Sequence, residues 1–140
     1  MTIARGNYSH AEGSSTYTFG NGSHTEGQYT VTNGPCSHAE GDSTTASASC
    51  SHTEGFSTTT SGLYSHAEGY GTKATGSAAH SEGYYSNATA DYAHSEGIYT
   101  KAAKQGQHVF GIGNISDAGS TTLGDYTLGK FAEIVGGGVS

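Results

Sequence analysis

The chain is 140 residues long, enough for one domain or one repeat array, and only 32% of it is hydrophobic, with no Trp, one Met and one Pro. Its formal charge is −7 with neutral histidine, and Arg5 with four lysines (Lys73, Lys101, Lys104, Lys130) provides no basic patch for a phosphate backbone, so nucleic-acid binding is excluded. No stretch approaches the ~20 apolar residues of a membrane span, and the first residues lack the apolar run of a signal peptide, so a soluble chain made in the cytosol, without membrane contact, is expected.

Residues 1–8 read as a lead-in. From Ser9 the sequence becomes periodic: histidines stand at 10, 24, 38, 52, 66, 80, 94 and 108, always 14 residues apart. Seven of them open a His-x-Glu-Gly unit, and in the eighth Phe110 takes the place of glutamate. A strict period without insertions means that the chain closes one structural coil every 14 residues. Gly, Ser and Thr are abundant, a composition that ordinarily points to disorder, but charged residues are only 12% and the polar residues keep register.

Counting from the residue before each histidine, positions 1 and 3 are small in the first seven coils: Ser9, Ser23 and Ala79 in the first column, Ala11, Thr25 and Ser81 in the second. Positions 2 and 4 are His and Glu. Such alternation is a strand signature, with small side chains inward and His/Glu outward. Position 5 is glycine throughout (Gly13, Gly27, Gly41, Gly55, Gly69, Gly83, Gly97, Gly111), which marks a tight turn. A second strand follows, with small residues at positions 8 and 10 around a variable position 9. Positions 11 to 14, rich in Gly, Asn, Asp and Ser, form the return turn. The array spans residues 9–112, and residues 113–140 read as a short β-rich cap or transition.

Stacked coils pair each strand with its copy at ~4.8 Å. The interior then holds only Ser, Ala and Thr. Burying a methyl or two per position, at about 25 cal/mol per Å², does not offset ordering 23 glycines at roughly 1–2 kcal/mol each. A second surface must be buried, which implies an oligomer. Position 9 varies from Tyr17 to Lys73 as a solvent face does, whereas positions 2 and 4 do not vary, so the His/Glu face is the candidate interface. The expected axis network is His10, Glu12, His24, Glu26, His38, Glu40, His52, Glu54, His66, Glu68, His80, Glu82, His94, Glu96, His108 and Phe110. With each imidazole in reach of a glutamate, several histidines are expected to bond glutamates of their own or a neighbouring chain and to carry raised pKa values.

Three other chemistries were weighed. His-x-Glu places two good ligands on one strand face, and threefold symmetry would gather three of each around an axis, so an axial metal or other ion at the histidine layers is the one cofactor considered. Catalysis finds no support: adjacent Ser, His and Glu on a strand point to opposite faces, and no zinc-protease, phosphate-loop or calcium nonapeptide motif is present. Cys36 and Cys50 occupy position 14 of consecutive coils and are expected to be free thiols, since the rung spacing exceeds the ~3.8 Å Cβ separation of a disulfide. The tyrosines cluster at positions 6, 7 and 14. Tyr70 and Tyr84, with Phe56, Ile98 and Ile112, are read as subunit packing at position 6, and the others as packing or rim contact with glycan or protein.

The Ser-x-Ala-x-Gly repeat from Ser9 to about Ile112 resembles the head of trimeric autotransporter adhesins. That resemblance implies a left-handed parallel β-roll assembled as a homotrimer, in which the positions matching His and Glu here are usually aliphatic and face the axis. His and Glu in their place imply a polar, hydrated or ion-containing centre. The wording Ser-His-Ala-Glu-Gly, with the stretches beginning at Gln107 and Lys130, resembles tail-fibre, tailspike and appendage proteins of bacteriophages, near where their self-cleaving chaperone domain would begin.

The resemblance implies a non-enzymatic segment of a virion fibre or appendage, with other virion proteins and a host surface receptor, a glycan among the candidates, as partners. A bacterial surface adhesin head is the alternative, and a remnant of a self-cleaving fibre-chaperone precursor a second one.

Overall fold

The computed structural model describes residues 1–113, and they form a parallel β-solenoid of about eight 14-residue turns. Two eight-stranded parallel sheets face each other, and consecutive strands alternate between them. The histidine sheet contains His10–Ala11, His24–Thr25, His38–Ala39, His52–Thr53, His66–Tyr70, His80–Tyr84, His94–Ile98 and His108–Val109. The second sheet contains Ile3–Ala4, Tyr17–Thr18, Val31–Thr32, Thr45–Ala46, Thr59–Thr60, Lys73–Ala74, Asn87–Ala88 and Lys101–Ala102. Register follows the repeat without a slip: His10 pairs His24, His66 pairs His80, and Tyr17 pairs Val31. The lead-in is part of the stack, because Ile3–Ala4 pairs with Tyr17–Thr18 as any later coil does. The cap assigned to residues 113–140 lies, apart from Gly113, outside the described residues.

Three strands of the histidine sheet run for five residues, through the glycine to Tyr70, Tyr84 and Ile98. Earlier coils carry Ser14, Gln28, Asp42 and Phe56 at that position and pair there only as isolated bridges, so an aromatic side chain does not by itself extend the strand.

The core is narrow and half polar. Thr16, Thr18, Thr25, Thr30, Thr32, Ala39, Ala46 and their successors are fully buried. The sequence reading treated these threonines as methyl carriers. Their hydroxyls bond one another: Thr18 donates to Thr25 at 2.6 Å, Thr25 lies 2.7 Å from Thr32, and Thr53 lies 2.7 Å from Thr60. Small hydroxyl-bearing side chains let the two sheets approach while leaving few polar atoms unpaired.

The other two hydroxyl columns hold the turns. Serine at position 1 donates to the carbonyl three residues back, as in Ser37 to Gly34 (2.6 Å) and Ser65 to Gly62 (2.7 Å). Threonine at position 8 donates to the carbonyl of the glutamate four residues back, as in Thr58 to Glu54 and Thr72 to Glu68, both 3.0 Å. These are local side-chain-to-backbone bonds of the kind Ser and Thr make at turns.

Glycine at position 5 adopts φ of +101° to +108°, and a Cβ there would collide with the carbonyl of the glycine in the next coil. Positions 7 and 14 are left-handed as well, yet they carry Ser15, Tyr29, Tyr85, Cys36, Tyr64 and Tyr92 besides Gly71 and Gly106. Non-glycine residues accept this conformation at a cost of ~1–2 kcal/mol each. In return their amides reach the coil before: Tyr29 N donates to Ser14 O at 2.9 Å and Tyr92 N to Ser77 O at 2.8 Å.

Candidate functional site: the histidine–glutamate ladder

The in-register parallel pairing places all eight histidines in one column. Neighbouring imidazoles stack with ring centroids 4.5–5.0 Å apart. Glutamates two residues further along each strand form a second column beside it. The axis-network residues from His10 to Glu96 therefore lie on one continuous face, and Phe110 closes it with its ring 5.6 Å from that of His108. Between coils 3 and 7 this face is half-buried, with side-chain exposures of 32–38%.

The columns interlock. His38 Nε2 lies 3.7 Å from Glu26 of the preceding coil and 3.8 Å from Glu40 of its own. Glu96 spans His94 at 3.8 Å and His108 at 3.5 Å. These separations are ion-pair contacts and exceed hydrogen-bond length of roughly 2.7–3.2 Å. The Nε2 atoms of His24, His38, His52, His66, His80 and His94 are shielded from solvent and have no hydrogen-bond partner. The expected imidazole–glutamate hydrogen bonds are thus absent from these six nitrogens within the chain.

The expected upward shift of histidine pKa is corrected at three positions. His52, His66 and His94 lie below the ordinary value of 6.5, chiefly because burial penalises the charged ring. The stacked histidine neighbours push in the same direction, and the glutamate attraction is the smaller effect. Stacking at rung spacing makes each imidazolium pay for its like-charged neighbours.

The carboxylates solve their own repulsion by sharing protons. Glu54 and Glu82 are pushed up to about 7, in each case first through hydrogen bonding to Glu68. Glu40 is lowered, first by hydrogen bonding to Glu26, and Glu68 is lowered, first by hydrogen bonding to Glu82. In weakly acidic solution, below about pH 7, the column from Glu40 to Glu82 thus alternates carboxylate with carboxylic acid, which places full charges two rungs, or ~9.6 Å, apart.

A groove of about 590 Å³ runs along the carboxylates, lined by Glu54, Glu68, Glu82, Glu96, Gly69, Gly83, Gly97, Gly111 and Phe110. Two residues beyond the glutamates, at position 6, an aromatic column begins. Phe56, Tyr70 and Tyr84 stack at 4.9 and 5.0 Å, and Tyr85 and Tyr99 stack at 5.5 Å. Tyr84 meets Tyr85 and Tyr99 edge-on, tying the two stacks together. These rings, with Ile98 and Ile112, remain 39–66% exposed.

Sequence reasoning found the face and the position-6 column but missed the left-handed backbone at positions 7 and 14. The signal was present: Gly22, Gly71 and Gly106 recur in those columns among bulkier residues. Cys36 and Cys50 are free and exposed.

Fold and face together define a class: a parallel β-solenoid with one ionisable, aromatic-flanked ladder. Comparison with protein-family models, curated proteins and solved structures finds no match to the chain.

Proposed function

We propose that the chain is a non-enzymatic structural segment of a trimeric phage fibre or appendage, whose ladder face joins three copies and whose outer rims contact a host surface. The observation that carries the assembly is the continuity of one face: half-buried His and Glu columns flanked by exposed Phe56, Tyr70, Tyr84, Ile98 and Ile112. A contiguous exposed apolar strip beside a constant polar ladder is the mark of an association surface. The narrow Thr/Ala core supports the same reading, since a stack with so little apolar burial gains from covering a second face. The virion assignment, left-handed coil and host contact rest on the resemblance of the Ser-His-Ala-Glu-Gly repeats to phage fibre proteins.

Sedimentation equilibrium tests the assembly, with a single trimeric species expected and a monomer at tens of micromolar overturning it. Antibody labelling of virions tests the location, with decoration of a tail fibre or appendage expected. Decoration of the bacterial surface instead would favour the adhesin head.

A further inference from the structure

All eight histidine Nε2 atoms sit 3.5–4.0 Å from glutamate oxygens, and six of them are shielded from solvent with no hydrogen-bond partner. That range is too long for a hydrogen bond but close to another natural distance. Two donors on one zinc ion, each at ~2.0–2.2 Å, stand roughly 3.3–3.5 Å apart in a tetrahedron. In the ladder the pairs His52–Glu54, His94–Glu96 and His108–Glu96, at 3.7, 3.8 and 3.5 Å, stand a few tenths of an ångström from the spacing a shared ion imposes. The remaining donor pairs of His52–Glu54–His66 and His94–Glu96–His108 lie within 4.8 Å, so binding draws them together.

Among the described residues, five groups of three bring their ligand atoms within 4.8 Å of one another. Three of them offer one imidazole and two carboxylates. The other two, His52–Glu54–His66 and His94–Glu96–His108, offer two imidazoles and one carboxylate. Imidazole selects borderline transition metals, and two histidines with one glutamate form a donor set that holds zinc while leaving a fourth position open.

We propose that His52–Glu54–His66 and His94–Glu96–His108 are two divalent transition-metal sites of the zinc class, each made within one chain and each clamping two consecutive coils. The donors of each site come from strands paired in register, His52 with His66 and His94 with His108. The imidazoles stack at 4.7 Å in the first pair and 4.5 Å in the second, so ion binding turns the two rings out of the stack until their in-plane Nε2 lone pairs converge. The carboxylate groove beside Glu54 and Glu96 gives an ion its path. Occupancy of two layers and not all is favoured by charge. The two sites are three rungs, or ~14 Å, apart, beyond the ~8 Å Debye length at physiological ionic strength, whereas ions in adjacent layers would stand ~4.8 Å apart.

These sites go beyond the fibre reading and need no second chain. The test uses the full untagged chain, stripped with EDTA and desalted, titrated with Zn(II) by calorimetry and with Co(II) by visible absorption. Sedimentation is run in parallel. Two ions per chain are expected, with micromolar or tighter affinity and a zinc-dependent rise in melting temperature. His66→Gln should lose one ion, His66→Gln with His108→Gln both, and His10→Gln neither, with unchanged circular dichroism in all three. Glu54→Gln provides a second route to loss of the first site should His66→Gln fail to fold. No binding tighter than millimolar, or a stoichiometry indifferent to these variants, overturns the proposal. One ion per three chains also overturns it, in favour of an axial ion shared by a trimer, and whether the chain is trimeric is read separately from the sedimentation.

Discussion

His94 Nε2 stands 3.7 Å from Glu82 of the preceding coil, as close as it stands to Glu96 of its own coil at 3.8 Å. One imidazole therefore belongs to two rungs. Side chains that repeat every 14 residues become neighbours through backbone pairing, and the chemistry of the ladder is set between coils as much as within them.

Stability should depend on pH in two opposing ways. His52, His66 and His94 have folded pKa values below 6.5, so their contribution is present above 6.5 and is lost as pH falls below it. Glu54 and Glu82 are raised from 4.5 to about 7, so their contribution is present below 4.5 and is lost as pH rises toward 7. Between pH 4.5 and 6.5 the two effects oppose each other, so the glutamate contribution is read from a variant and not from the metal-free wild-type curve alone. Because an amide imitates the protonated acid, Glu54→Gln with Glu82→Gln should gain in melting temperature relative to wild type as pH rises from 4.5 to 7. A difference between the two proteins that stays constant through that window would contradict the shared-proton column.

The two kinds of left-handed glycine should respond differently to alanine. Gly83 has φ +103° and no room for a Cβ against the Gly97 carbonyl, whereas Gly106 has φ +67° and open space around it. Gly83→Ala should cost ~3 kcal/mol or more, and Gly106→Ala about 1 kcal/mol. Thermal or urea denaturation followed by circular dichroism measures both, and equal losses would show that the stacked carbonyls do not constrain position 5.

The core hydroxyls can be tested by one pair of substitutions. Thr25 bonds Thr18 and lies 2.7 Å from Thr32, while the buried Thr44 Oγ1 has no partner. Thr25→Val should destabilise by about 1–3 kcal/mol because it leaves a buried hydroxyl short of a partner. Thr44→Val should be neutral or stabilising. Equal effects in denaturant titrations would reduce the threonines to methyl carriers.

Removing the exposed rings should weaken association and leave the fold intact. Tyr70 and Tyr84 are 39% and 41% exposed, so their truncation costs little inside one chain. If they lie in the assembly interface, Tyr70→Ala with Tyr84→Ala should weaken self-association at least ~30-fold, the scale of an interfacial hot spot of about 2 kcal/mol. Sedimentation equilibrium reads this directly, and an unchanged association constant would place the interface elsewhere.

The two thiols should be open to reagent. Cys36 and Cys50 are both exposed at left-handed turn positions, so a thiol reagent should titrate two groups per chain without denaturant. One group or none would point to a bridge.

Much of this was legible in advance. The 14-residue column of histidines determined the register, because no other alignment stacks every histidine on a histidine and every position-5 glycine on a glycine. Alternation at positions 1 to 4 determined which side chains face inward, and the invariant Gly13-to-Gly111 column determined where the chain turns. What the repeat could not express were quantities that depend on distance between coils. Only the packed structure showed that Thr18, Thr25 and Thr32 form a hydroxyl chain, or that tyrosines at positions 7 and 14 accept left-handed backbone for an amide bond to the coil before. It also decided the protonation of the ladder. A sequence pairs each histidine with the nearest glutamate and so predicts a raised pKa. Burial of the ring, with like-charged histidines stacked 4.5–5.0 Å away, outweighs the carboxylates at His52, His66 and His94. Periodicity specifies which residues meet, whereas solvation and spacing decide what their meeting does, and those exist only once the coils are stacked.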